Sequence, residues 1–295
     1  MEKMFEVLTN RSTETRSNEP RRTKPFRDEP NGSEDEARNQ ALEKLDFKYY
    51  TMTAAGGSKL EGRDTGSLSP HRKSLAQPAR EVTLNLYHVA PNLVTLHDQD
   101  LRASEQYDML ALRLISATTV RMFKRLLITS AQKGEGRTSV LLNMAGALSR
   151  AGKRVLVVDT DLLRPSVIRL LGVEAEIGLA EAFGRDLPPG MAIMRVMPHG
   201  FHVLPTRERV DNAVEILTSH AFREMLEILE PDYDFILLDS PPLLERADSG
   251  MLVKLADTAL MVIRQGATRA SQMAKAIEML SEEDIFGVVL NRVTP

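Results

Sequence analysis

The stretch Thr129 to Thr138, TSAQKGEGRT, decides how the rest of the chain is read. It follows the apolar run Leu126-Leu127-Ile128 and precedes Val140-Leu141-Leu142, so the order is strand, glycine-bearing loop, helix. That is the setting in which such a loop binds phosphate. Small residues let backbone N–H groups turn inward, and the helix that follows points its positive end at the same place. Counting from Ala131, four residues lead to Gly136, followed by Arg137 and Thr138. This is Walker A spacing, with alanine for the first glycine and arginine where the loop lysine belongs. A nucleotide site with an unusual cation is expected here.

Composition narrows the chemistry. The chain has 295 residues and no cysteine, which excludes disulfides, thiolate zinc sites and iron–sulfur clusters. A net charge of -3 gives no electrostatic case for nucleic acid as a partner. No apolar run approaches the roughly 20 residues of a membrane-spanning helix, and no signal-peptide pattern is present. A cytoplasmic protein without a membrane span of its own is expected, one that something else must hold at any membrane where it works.

Working outward, residues 1–81 are rich in Arg, Glu, Ser, Pro and Gly and carry few periodic apolar residues. Such a segment buries too little surface to offset its ordering entropy, so a disordered N-terminal arm is expected. Within it Met4, Phe5 and Leu8 would share one stripe of a short helix. Residues 82–295 form the predicted domain. Leu93 to Leu96 reads as a short extended piece, and a helix is expected from Ser104 with Tyr107, Leu110, Leu114 and Ile115 on its apolar face. Ser139 to Arg150 is a predicted helix with a stripe of Val140, Met144, Ala147 and Leu148, ending at Gly152.

Strands are expected at Leu126–Thr129, Arg154–Asp159, Phe201–Leu204, Phe235–Asp239, Ala259–Ile263 and Gly287–Leu290. Helical patterns separate several of them, notably Val214–Leu229 and Gln272–Leu280. Continuous apolar strands alternating with helices indicate an α/β fold whose mainly parallel sheet is flanked by helices. In such sheets ligands bind beyond the carboxyl ends of the strands. There the sequence sets VDTDLLRP (Val158 to Pro165) and LLDSPP (Leu237 to Pro242). An aspartate closing an apolar strand is usually a turn residue or a helix cap. Three carboxylates in this order, each after a strand, point instead to magnesium, which favours one or two carboxylates with phosphate and water oxygens. Thr138, Asp159, Asp161 and Asp239 form that set.

The triplet GEGRT, VDTDLLRP and LLDSPP resembles the three Walker motifs of the bacterial tyrosine kinases (BY-kinases) of capsule and exopolysaccharide synthesis, P-loop ATPases of deviant Walker type. The resemblance runs from about Ser104 to Val293 and includes Asp232-Tyr233-Asp234, Arg264 to Arg269 and Leu290 to Val293. It implies that the backbone of Gly134, Glu135, Gly136, Arg137, Thr138 and Ser139 cradles the phosphates of ATP and that Thr138 meets Mg2+ through its hydroxyl. Asp159 and Asp161 would orient the metal, one of them acting as base toward a tyrosine hydroxyl. Asp239 would hold the metal through water, Asn291 would contact adenine, and Arg164 would steady phosphate or structure. The implied partner is a membrane-embedded adaptor for polysaccharide chain length and export, which would recruit the protein to the inner face of the plasma membrane. Assembly as a homo-oligomer is also implied.

Four departures accompany the resemblance. Arg137 replaces the loop lysine, a planar fork for a compact charge. Leu163 stands where the family usually has another arginine. Asp108 and Ala111 occupy the arginine positions of the oligomerisation pattern that begins at Glu105. The chain stops at Thr294-Pro295 without the family's tyrosine cluster, leaving Tyr49 and Tyr50 as substitute phosphoacceptors. Two readings follow: a protein-tyrosine kinase, or a nucleotide-binding switch that docks on the adaptor without phosphorylating tyrosine. A partition-type ATPase fits less well, because its signature lysine would fall at Gln132.

Overall fold

The apolar runs become the middle of one wide sheet. In a computed structural model, residues 7–9, 80–97, 100–185, 187–245, 249–280 and 284–292 are described. The strands are β1 (Val7–Thr9), β2 (Arg80–Thr83), β3 (Arg125–Ser130), β4 (Val155–Asp159), β5 (Met194–Met197), β6 (His202–Leu204), β7 (Phe235–Asp239), β8 (Thr258–Arg264) and β9 (Ile285–Asn291). Their order across the sheet is β1-β9-β8-β3-β7-β4-β6-β5-β2. From β9 to β6 every neighbouring pair is parallel. Antiparallel pairing occurs where β1 meets β9 and where β5 meets β6.

Why the central strands are so apolar is plain from their surroundings. All five residues of β4 and of β7 are buried. Side chains alternate between the two faces of a strand, and here each face meets its own helical layer. Val155, Val157, Phe235 and Leu237 join one core, Leu156, Val158, Ile236 and Leu238 the other. The first core is closed by α1 (Val94–His97), α2 (Leu101–Thr118) and α3 (Arg137–Arg150), with α4 (Val167–Leu171) beside them. The second is closed by α5 (Leu179–Gly184), α6 (Ala213–Thr218), α7 (His220–Leu229), α8 (Ser249–Val253) and α9 (Ala270–Glu278). Continuing the alternation, Asp159 and Asp239 fall on the first face, the one that carries α3.

The mainly parallel α/β sheet agrees with the sequence reading, and several local expectations are corrected. Leu93 to Leu96 is not extended: Val94–His97 is a turn of helix. Leu93 and Leu96 point into the core while the Thr95 N–H donates to Asn143 Oδ1 at 3.0 Å, so tertiary packing overrides a β-branched pattern. Val214–Leu229 is two helices, broken at Ser219, whose hydroxyl caps the second by accepting from the Phe222 N–H at 3.0 Å. Leu8 lies on a strand rather than a helix, since Val7–Thr9 pairs with β9. Strand β2 starts at Arg80, two residues ahead of the expected domain, and pairs with β5. The remaining expectations for the arm, including Met4, Phe5, Tyr49 and Tyr50, lie outside the described residues.

Helix α3 is more deeply buried than its predicted stripe, because α2 packs on its outer side. Leu141, Leu142 and Ala145 are buried along with Val140 and Met144. Where α1 meets α3, Asn143 accepts from the Thr95 N–H and hydroxyl and donates to Asn92 O and Ser139 O at 2.9 Å each. Truncating it strands buried donors and acceptors, each worth about 1–3 kcal/mol. Asn143→Ala is expected to lower unfolding free energy by about 3 kcal/mol in urea titrations. Asp108→Ala, which removes only the partly exposed pair with Arg150 at 2.7 Å, is expected to lower it by under about 1 kcal/mol.

Candidate functional site

The phosphate loop joins β3 to α3 and is braced from three sides. Gly134 and Gly136 have φ of +84° and +97°, the left-handed region that favours glycine. At Gly136 the space also requires it, since a Cβ would lie 2.0 Å from Asn291 Nδ2. Asn291, ending β9, donates through that Nδ2 to Glu135 O at 2.8 Å. The buried Glu135 carboxylate accepts from the Gln132 N–H at 2.9 Å and from the Thr268 hydroxyl in the loop after β8. On the outer side Asn92 Nδ2 donates to Ser139 Oγ at 2.5 Å.

Arg137 is turned into the protein. Its Nε donates to Ser240 O at 2.8 Å, and its Nη1 to Ser130 Oγ at 2.7 Å and Gln132 O at 3.2 Å. Nη2 lies 3.5 Å from Asp161 Oδ2, and both side chains are only 9% exposed. The guanidinium fork therefore ties the start of the loop to the segment after β7 and to the loop after β4. A lysine has three donors on a point charge and cannot span these groups together.

Opposite the start of α3 stand the carboxylates. β4 and β7 pair in register, Asp159 beside Asp239, and both side chains are buried. Thr138 Oγ1 donates to Asp239 Oδ2 at 2.7 Å and lies 2.8 Å from Ser166 Oγ. Asp159 Oδ2 accepts from the Ser166 and Val167 N–H groups at 3.1 Å each, capping the turn into α4. Burial, with the Asp239 and Asp161 charges adding to it, holds Asp159 well above the ordinary carboxylate range despite these two bonds. Burial likewise pushes Asp239 up to about 7, against the pull of Arg137 and the Thr138 hydroxyl.

Arg164, the remaining predicted residue, and its neighbour Leu163 both have local partners. Arg164 Nη1 donates to Glu245 Oε2 at 3.1 Å, and Glu245 Oε1 accepts from the Lys133 N–H at 3.0 Å. Leu163 packs against the second core, so an apolar contact stands where a cation was expected.

A metal fits this donor set in a particular way. Asp159 Oδ1 and Asp239 Oδ1 are buried and accept no hydrogen bond, although buried polar atoms are nearly always paired. Among the described residues no three carboxylate or imidazole groups form a cage by themselves. Magnesium is ordinarily held by one or two carboxylates with phosphate oxygens and waters. The set of Asp239, Asp159 and the Thr138 hydroxyl matches a metal that arrives with a nucleotide.

Comparison with known proteins supports the same frame. Residues 121–293, more than half of the chain, match the ParA family described as NUBPL iron-transfer P-loop NTPase. Tyrosine-protein kinase YwqD of Bacillus subtilis is 30% identical over 202 residues, which are 68% of this chain and 85% of YwqD. The chain is a member of the bacterial tyrosine-kinase family of P-loop NTPases. The family's tyrosine-protein kinase Etk of Escherichia coli K12 is 29% identical over 170 residues, covering 57% of this chain but only 23% of Etk. The chain thus spans less than a quarter of that larger relative. The solved kinase domain of the E. coli family member superposes with a TM-score of 0.64 at 27% identity, over 70% of this chain and 84% of that one. Iron transfer has no thiolate basis in these 295 residues, which contain no cysteine.

The structure brings Gly134 to Ser139, Asp159, Asp161, Asp239 and Asn291 to one end of the sheet. Sequence reasoning missed the residues that hold them there: Ser130, Ser240, Ser166, Thr268 and Glu245. Ser130, Ser240 and Thr268 lay within stretches already singled out, TSAQKGEGRT, LLDSPP and Arg264 to Arg269, whereas Ser166 and Glu245 carried no signal. Of the tyrosines in the described residues, Tyr107 and Tyr233 are buried and Tyr87 is 97% exposed.

The raised carboxylates give a pH prediction. A carboxylate whose folded pKa exceeds its unfolded value binds extra protons when folded, so its stability contribution falls as pH rises through the folded value. For Asp239 that window runs from about pH 4 up to about pH 7. Asp239→Asn keeps an acceptor for Thr138 and never ionises. It is expected to raise the melting temperature at pH 8 by at least about 3 °C, to leave it unchanged at pH 4, and to remove magnesium-dependent nucleotide binding. Equal shifts at both pH values would contradict the assignment.

Proposed function

We propose that this chain binds ATP with Mg2+ and acts as a tyrosine-kinase-like protein in the control of capsule or exopolysaccharide synthesis and export. The observation that carries this reading is the bond from Thr138 to Asp239, which lies in register beside Asp159, each buried carboxylate keeping one oxygen that no protein group satisfies. In this reading the backbone N–H groups of Gly134 to Ser139 bind the phosphates, and Asn291 contacts adenine from the flank of the loop it already braces. Thr138 and Asp239 hold the metal, Asp239 through water, while Asp159 and Asp161 orient it. Bound magnesium neutralises charge on the transferring phosphoryl group. Asp159 or Asp161 accepts the proton of the tyrosine hydroxyl.

The partner is a membrane-embedded adaptor that recruits the chain to the inner face of the plasma membrane. Among the described residues no helix is long and apolar enough to cross a membrane. Self-assembly is part of the proposal, although Asp108, at one of the eroded arginine positions, pairs within the chain to Arg150.

One observation favours the second reading, a switch that binds nucleotide and docks on the adaptor without phosphorylating tyrosine. The Arg137 guanidinium is committed to Ser240, Ser130, Gln132 and Asp161. A misplacement of about 1 Å at such a group lowers rates by about 10²-fold.

Radiolabelled ATP with Mg2+, incubated with the full chain alone and with the adaptor's cytoplasmic tail, separates the two. Label on tyrosine supports the kinase; bound nucleotide without label in any combination supports the switch. Arg137→Lys is expected to raise transfer at least about tenfold if the loop is a weakened kinase loop. Thr138→Ala is expected to weaken Mg2+-dependent nucleotide binding by about tenfold or more, read by calorimetry.

A further inference from the structure

Glu245 stands where an anion would be expected from outside. It ends the short 3-10 turn Leu243–Glu245, which follows Asp239-Ser240-Pro241-Pro242 directly. One of its oxygens accepts from the Lys133 N–H of the phosphate loop at 3.0 Å, and the other from the Arg164 guanidinium at 3.1 Å. A loop N–H and an arginine are the two kinds of donor that proteins use for phosphate. The turn is seated for this contact: Leu243 is buried beneath it, and the Leu244 N–H donates to Ala131 O at 3.3 Å.

In phosphate loops the backbone near the helix cradles the inner phosphates of a nucleotide. Lys133 lies at the opposite end of the loop, and Arg164 comes from another segment altogether. The donors that Glu245 holds are those left for the outermost phosphate. We infer that Glu245 competes with the terminal phosphate of a nucleoside triphosphate for the Lys133 N–H and Arg164, and so sets the preference between di- and triphosphate. The Lys133 N–H serves one anion at a time, and like charges brought together at Arg164 repel. Entry of a triphosphate displaces the Glu245 carboxylate, whereas a diphosphate leaves it seated. The inference rests on the ATP-site reading above and adds a residue that selects among nucleotides at that site.

Calorimetric titration of the full chain with ADP and with a non-hydrolysable ATP analogue, at one fixed Mg2+ concentration, tests it. Glu245→Gln removes the charge and keeps the shape. It is expected to tighten analogue binding about fivefold, the scale of a partly exposed ion pair, and to leave ADP within about twofold. Glu245→Asp, which keeps the charge and shortens its reach, is expected to change the ratio in the same direction. In an Arg164→Met background the effect of Glu245→Gln should shrink to under about twofold, because the contested cation is gone. Thermal unfolding of each variant controls for folding. If the wild-type chain binds both nucleotides and neither Glu245 variant alters their ratio, this inference is overturned and the ATP site stands. If the wild-type chain binds neither, the ATP-site reading fails and takes the inference with it.

Discussion

A carboxylate buried beside a second carboxylate is an expensive arrangement, and the pairing of Asp159 with Asp239 makes sense of the elements around it. Two strands apolar on both faces end in aspartate at the same register, so the acidic groups emerge together on the face that carries α3. That helix points the positive end of its backbone toward them and brings the Thr138 hydroxyl to Asp239. The turn into α4 contributes two N–H groups to Asp159. Thr206 donates to the Asp159 carbonyl at 2.7 Å and Thr160 to the Asp239 carbonyl at 2.6 Å, holding the strand ends in place. What these partners leave unmet is one oxygen on each aspartate.

The loop facing them is preorganised by contacts from well-separated parts of the sequence. Thr268 and Asn291 hold it through Glu135, Arg137 holds it to the segment after β7, and Glu245 holds its backbone at Lys133. Preformed sites bind with less loss of conformational freedom. Here the preorganisation has an opposing side, because Arg137 and Arg164 already face carboxylates, Asp161 and Glu245. Affinity in such a site depends on how readily internal partners give way, rather than on how many cations surround it.

Much of this was legible in the sequence, for a physical reason. Strands buried on both faces need uninterrupted apolar runs, so RLLITS, VLVVD and FILLD are recognisable, and the polar residues closing them stand out by contrast. The phosphate loop was legible because its glycines serve backbone conformations few other residues adopt. Less visible were elements defined by contacts instead of pattern. The helical turn at Val94–His97 exists because Asn143 receives it, and β5 (MRVM) alternates buried and exposed positions too briefly to be distinguished from a loop. Glu245 looked like any acidic residue after a turn. Its meaning comes from Lys133 and Arg164, far away along the chain, which no local signal announces.

The sheet has one more property that bears on how the protein is handled. Its two outermost strands, β1 and β2, both come from the first 83 residues, one lying on β9 and the other on β5. A chain trimmed to begin at α1 would leave both of those inner strands with a row of unpaired N–H and C=O groups. β9 is the more exposed to trouble, since Val288, Val289 and Leu290 give it an apolar run well suited to templating another strand. The two short segments Val7–Thr9 and Arg80–Thr83 therefore cover the sheet's margins, and a protein shortened past them would trade a tidier sequence for a tendency to stick to itself.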